Sequence, residues 1–311
     1  MRIKPAAILI AILLAILLPY AAVLVFGKRV NSVDNRSDGR QIESQTETVS
    51  AEDYVVRLVA AEIPVDYHIE ALKAQAVIAR TYLYQAIGES ESFAEANLPE
   101  QGWTEAKMQE EWGENWEENQ KKIQQAVKET ESSVITFNGS LTQMLYHKVS
   151  SGTTRTDESG VCPYLKSRES SYDIQADGYL QMKIFTEQEF AQILQTAYPD
   201  RAISSDNLFA TLQILAKDGS GYIEQMQIGG CEFQGLEVAN ALQMSSCCIS
   251  FEEYEGKLRV ISRGIGHGYG MSQWGASKMG EEGKSWEEIL RYYYDFDAGL
   301  QIQNITNGQV I

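Results

Sequence analysis

Apolar residues run from Ala6 to Phe26 without a charge. At ~1.5 Å per helical residue, a run of this length is sufficient for a ~30 Å hydrocarbon core. Arg2 and Lys4 precede it, and its exit, Val25-Phe26-Gly27-Lys28-Arg29, is a poor processing site. The pattern predicts an uncleaved transmembrane anchor at 6–26, a short cytoplasmic N-terminus at 1–5, and everything later outside the cytoplasm. A cleaved signal peptide is the alternative. Residues 27–50 are polar, with few large apolar groups, and predict a disordered tether. Ser50, followed by Asp53 at the capping-box position, opens a helix that must stop near Ile63, because Pro64 disfavours helical geometry in the residue before it. A second helix is predicted over 69–87, with Leu72, Ala76, Ala79 and Leu83 as its apolar stripe.

Beyond this the pattern becomes irregular and then changes period. Residues 89–120 are acidic, contain Trp103, Trp112 and Trp116, and predict a partly helical insertion leading into a helix over 119–130. Asn138-Gly139 between 134–137 and 141–148 is a strong hairpin signal. Two more hairpins are predicted, 212–216 with 222–228 and 249–254 with 257–262. Capping boxes at Thr186/Glu189 and Ser285/Glu288 open further helices. Helices, then hairpins, then helices indicate an α+β domain over 51–300: a mixed helix and antiparallel-hairpin extracytoplasmic body behind the N-terminal transmembrane helix.

Composition narrows the function. A net charge of −17 excludes a nucleic-acid surface, which needs clustered cations, and disfavours strong attraction to anionic lipid or wall polymers. The four cysteines, Cys162, Cys231, Cys247 and Cys248, show no metal-type spacing and are too sparse for a disulfide framework. They are expected to be small buried residues. No G-x-S-x-G elbow, dinucleotide fingerprint or P-loop lysine pattern is present.

Glu62 stands out among the titratable residues. Val55, Leu58, Val59 and Glu62 fall at i, i+3, i+4, i+7, which puts a carboxylate on its helix's apolar stripe. Such a group is paired, or has its pKa raised as a general acid requires, or swings out to solvent from the last turn. Lys73 and Arg80, seven apart on the second helix, fit a solvated face, a pairing with Glu62, or contacts to substrate oxygens. His147 ends a predicted strand. His267 lies in Gly266-His267-Gly268-Tyr269-Gly270, where flanking glycines allow a close backbone approach and an exposed imidazole.

Together, Asp53-Tyr54-Val55-Val56, Ala60-Ala61-Glu62-Ile63-Pro64, Ala71-Leu72-Lys73-Ala74-Gln75-Ala76-Val77 and Ala79-Arg80-Thr81-Tyr82 closely resemble the stage II sporulation protein D family, which includes the amidase enhancers. Gly266 to Ala276 resembles its second signature, and Tyr146-His147, Ser150-Ser151-Gly152 and Pro163-Tyr164-Leu165-Lys166-Ser167 follow in family order. The insertion at 89–120 departs from the pattern, and Thr153 stands where a glycine is usual. The resemblance implies a lytic transglycosylase that acts on peptidoglycan strands stripped of stem peptides during engulfment, with Glu62 as catalytic acid and base. It implies supporting or substrate-binding roles for Lys73, Arg80, Tyr146, His147, Ser150, Ser151, Tyr164, His267, Ser272 and Gln273. It also implies partners: glycan strands, a cell-wall amidase and other membrane engulfment proteins. A non-catalytic wall-binding amidase enhancer is the alternative, and a general wall-remodelling enzyme a third. Some family members bind zinc through His and Cys, but only His147 and Cys162 are candidates here, too few for a closed tetrahedral site. No cofactor, metal or nucleic acid is expected.

Overall fold

Ser50 caps the first helix as its sequence position predicts. Its side chain accepts from Asp53 N–H at 3.1 Å and donates to the Asp53 carboxylate at 2.6 Å, and α1 runs from Ala51 to Glu62. The computed structural model describes residues 48–87, 92–94, 102–306 and 309–310. The expected anchor at 6–26, and the tether up to residue 47, lie outside these. Among the described residues, no helix is long and apolar enough to cross a membrane.

Seven further α-helices follow among the described residues: α2 Ile69–Ile87, α3 Glu105–Trp112, α4 Trp116–Glu129, α5 Glu187–Ala197, α6 Gly235–Ala241, α7 Gln273–Glu281 and α8 Trp286–Tyr293. Both later capping boxes form, at Thr186/Glu189 and Ser285/Glu288. The insertion is less irregular than its composition suggests. Its described part holds α3 and the start of α4, and strand Ser92–Ala94 pairs with Thr48–Ser50.

The strands are short. Ser133–Phe137 turns through Asn138 and Gly139, both at positive φ, into Ser140–Leu141. The predicted long partner strand 141–148 does not form. Its end, Tyr146–His147, leaves the hairpin and pairs in parallel with Met271–Ser272, so the domain is α+β but not purely antiparallel. On its other side Ser133–Phe137 pairs with Leu300–Thr306, a strand the hydrophobic pattern missed that extends the same sheet past residue 300. The other two predicted hairpins form, each gaining an unpredicted third strand. Cys231–Gln234 joins Gln213–Lys217 and Ile223–Ile228, and Leu180–Phe185 joins Ile249–Tyr254 and Lys257–Arg263.

Two apolar cores result. The first holds Tyr54, Val55, Leu58 and Val59 of α1, the stripe of α2, Ile123 and Val127 of α4, and Ile289, Leu290 and Tyr293 of α8. Each of the α1 side chains is almost completely buried, which is worth roughly 1.5–3 kcal/mol apiece. The second core gathers Phe190 and Leu194 of α5, Val238 of α6, Ile223, Met226 and Val260 from the three-stranded sheets, and Tyr222 just before its strand. Cys247 and Cys248 are buried in it, whereas Cys162 and Cys231 are only partly covered. Segments 148–155 and 264–270, which flank the parallel pair of Tyr146–His147 with Met271–Ser272, link the cores and pair through Val149 and Ile265.

Candidate functional site

Ile63 leaves the helix with φ −130° and ψ 140°, the extended geometry that a following proline requires. Glu62 is therefore the last helical residue of α1, where carbonyls lack helical partners. Its main-chain carbonyl accepts from the Gln273 side-chain amide at 3.0 Å. Its half-buried carboxylate accepts from the Gln75 amide at 2.7 Å. Gln75 and Gln273 bond to each other at 3.2 Å, so two fully covered, uncharged amides tie the end of α1 to α2 and to the start of α7. Gln75 was not anticipated. Its signal was a polar residue on the α2 stripe between Leu72 and Ala79, a position that requires a buried partner.

Gln273 is fixed in turn by its neighbour. The Ser272 hydroxyl caps α7 by accepting from Gly275 N–H at 3.2 Å, and it donates to Asp173 at 2.8 Å. The other Asp173 oxygen accepts from Ser150 N–H at 2.6 Å. Asp173 is fully buried. Burial pushes its carboxyl pKa up, against the pull of hydrogen bonds from Ser150, Ser272 and Ser170. It ties the loop after His147 to the N-terminus of α7, and no spacing in the sequence marked it.

The two histidines lie beside this linkage. The His147 and His267 rings are 5.8 Å apart. His147 is 4% exposed, and its Nδ1 lies 3.0 Å from the Tyr269 carbonyl. That carbonyl fixes the proton on Nδ1 and leaves the buried Nε2 without a hydrogen-bond partner. Burial and the neighbouring His267 push its pKa down to about 3, so the ring is neutral at physiological pH. His267 is also pushed down, to about 4, by burial and by Arg155, and its Nδ1 accepts from Tyr269 N–H at 3.0 Å. The expected exposed imidazole is thus partly buried. The glycines around it accommodate the protein's own chain: a Cβ on Gly268 would meet the Tyr222 ring at 2.5 Å, and one on Gly270 would meet the Leu145 carbonyl at 1.7 Å.

Other expected site residues serve the fold. Arg80 is 0% exposed. It grips Glu52 with two bonds of 2.7 and 2.8 Å and donates to the Val127 and Ser133 carbonyls and to Thr130. The guanidinium donors all go to protein groups, so Arg80 stands in the core as a supporting residue. Lys73 pairs with Glu70 and Glu129, each at 2.6 Å, and not with Glu62. Burial alone would lower its pKa, but the bonds to Glu129 and Glu70 outweigh that and raise it. The buried Tyr164 hydroxyl bonds Thr142 and the Gln143 carbonyl, each at 3.0 Å, and takes no part in the Glu62 cluster. Ser151 turns toward the second core, its N–H on Tyr222 and its hydroxyl on the Ser220 carbonyl, each at 3.1 Å. Half-buried Tyr146 neighbours Met271 in the parallel pair.

Among the described residues no three His, Cys, Asp or Glu side chains are grouped to hold a metal. Cys162 instead closes a turn, its N–H donating to Asp157 at 2.6 Å.

The candidate site is therefore Glu62 held by Gln75, linked through Gln273, Ser272 and Asp173 to Ser150, with the two neutral histidines beside that linkage. A family model described as Stage II sporulation protein matches residues 40–137, which include Glu62 and Gln75. The chain is 31% identical to "Stage II sporulation protein D" of Bacillus subtilis (strain 168) over 275 residues, covering 85% of this chain and 77% of that protein. It is 30% identical to the Bacillus amyloliquefaciens protein of the same name over 272 residues, 82% of this chain and 75% of the relative. Similarity to the "Amidase enhancer" of Bacillus subtilis is 24% over 283 residues, 75% of this chain but 38% of that protein. Since the match reaches well past the Glu62 helices into both cores, the chain belongs to the stage II sporulation protein D family.

Proposed function

We propose that this chain is a lytic transglycosylase of peptidoglycan glycan strands, acting in sporulation, with Glu62 as the group that gives and takes the proton. One observation carries this: the Glu62 carboxyl group ends α1 half-exposed, held in place by the Gln75 amide at 2.7 Å. A carboxyl group can donate in one step of such a cleavage and accept in the next. Protonated Glu62 gives its proton to the glycosidic oxygen as that bond breaks. The resulting carboxylate takes the proton of the muramic C6 hydroxyl, whose oxygen attacks the anomeric carbon and closes a 1,6-anhydro ring. The internal hydroxyl replaces the water that an ordinary glycosidase activates with a second carboxylate.

In this proposal the apolar run 6–26 tethers the domain outside the cytoplasmic membrane, and a wall amidase supplies strands stripped of stem peptides. Detergent-solubilised full-length protein incubated with denuded glycan should release anhydro-muramyl products detectable by mass spectrometry. Glu62→Gln should lower the yield by at least about a hundredfold, as expected for loss of a general acid. Undiminished product from that variant would end the proposal. Similarity to the amidase enhancer favours one rival, a wall-binding protein that stimulates an amidase without cutting. It predicts sedimentation with wall material, no anhydro ends, and indifference to Glu62→Gln.

A further inference from the structure

Helix α7 begins at Gln273, against Glu62. Glu282 lies just past its other end, roughly 13 Å away at the helical rise. One face of α7 is lined by aromatic groups. Tyr67 and Trp274 meet edge to face with centroids 5.8 Å apart, and the Trp274 indole N–H donates to the Tyr172 carbonyl at 3.1 Å. The Tyr172 hydroxyl donates in turn to Glu282. Tyr172 thus spans the helix from the Glu62 end to an open cavity of about 330 Å³.

That cavity is walled by Tyr172, Tyr292 and Met279 and edged by Glu169, Glu282 and Lys284. Its size is at the lower end for a small-ligand site, and it combines apolar faces with a few polar groups, as such sites do. Tyr292 is 38% exposed, although its hydroxyl is fixed on the Glu169 carbonyl at 2.6 Å. The hydroxyl is anchored while the ring stays accessible. Two carboxylates against one ammonium disfavour a phosphate or another polyanion, yet they accept readily from neutral hydroxyls. An uncharged, polyhydroxylated ring with one apolar face matches these walls.

We propose that this cavity is a carbohydrate subsite that holds a sugar of the same glycan strand, a few residues away from the bond presented to Glu62. The assignment of substrate class rests on the function proposed above, and the Tyr172–Trp274–Tyr67 line is the path the strand follows. Its energetic consequence is length dependence: short glycans reach only the Glu62 end of α7, and longer ones also cover Tyr292.

The test uses full-length Glu62→Gln protein in detergent, so that no cleavage occurs, and calorimetric titration with β-linked N-acetylglucosamine disaccharide and hexasaccharide. The hexasaccharide should bind more tightly. Tyr292→Ala should weaken hexasaccharide binding by about three- to tenfold, the range of one aromatic contact, and leave the disaccharide unchanged. Tyr292→Phe, which keeps the ring, should stay within about twofold of the parent. Equal affinity for both oligomers, equal loss for both in Tyr292→Ala, or a Tyr292→Phe loss as large as that of Tyr292→Ala would overturn the subsite. Anhydro-end formation by the wild type is scored separately. If it is absent, the transglycosylase assignment falls while length-dependent binding through Tyr292 still stands.

Discussion

Arg80 could act on substrate or support the fold, and replacing it with Met separates the two roles. Methionine fills a similar length of core but removes every donor. Glu52, about one-third exposed, loses a two-pronged partner, and the Val127 and Ser133 carbonyls and the Thr130 hydroxyl lose a shared donor. Removing one member of a buried ion pair costs ~3–5 kcal/mol. The partial exposure of Glu52 lowers that figure, because water can reach the freed carboxylate. Each carbonyl left dry adds ~1–3 kcal/mol. Arg80→Met should therefore destabilise by about 3–5 kcal/mol and, for a domain of this size, lower Tm by roughly 6–15 °C. Urea and thermal unfolding measure the loss, and glycan cleavage is assayed well below the new Tm and normalised to folded protein. Normalised activity within about threefold of wild type is expected, since the helices that carry Glu62 remain joined by their apolar contacts. If Tm stays within about 2 °C of wild type while cleavage disappears, the guanidinium acts on substrate and its place in the core has been misunderstood.

Gln75→Leu should reduce kcat by about tenfold or more with little change in KM, because it removes an amide that positions the Glu62 carboxylate without touching a glycan contact. Steady-state kinetics on defined glycans check this. Gly270→Ala combines a φ of +71° with a Cβ 1.7 Å from the Leu145 carbonyl and should cost several kcal/mol, roughly ~3 or more, seen as loss of soluble protein or a collapsed Tm. His147 makes the domain acid-sensitive. Its folded pKa of about 3 lies below the ordinary 6.5, so the unfolded chain binds a proton from pH 6.5 downward while the folded one does not. Stability falls as pH drops through that window, by about 2 kcal/mol from pH 7 to pH 5. His267, depressed to about 4, adds a similar loss in the same window, so His147→Gln should remove about half of the combined slope in thermal melts, and an unchanged slope would refute the assignment.

Local patterns alone settled a good deal. The Ser50 cap, the stop at Glu62 before Pro64, the span of α2, both later capping boxes and three hairpin turns follow from interactions within a few residues, which a sequence displays directly. The presence of Glu62 at a helix end on an apolar stripe was legible for the same reason. Pairings between distant segments were not. Leu180–Phe185 and Leu300–Thr306 are strands only because a partner edge is available, and Tyr146–His147 abandons its hairpin for Met271–Ser272. Side-chain partners were hidden likewise. Helical spacing put Lys73 and Arg80 on one stripe but could not place Glu129 and Glu52 beside them. Nor could it show that Gln75, Gln273 and the buried Asp173 hold the segments around Glu62. Burial and charge pairing depend on what packs across the interface, so the tertiary fold alone decided which polar groups serve the site and which serve the core.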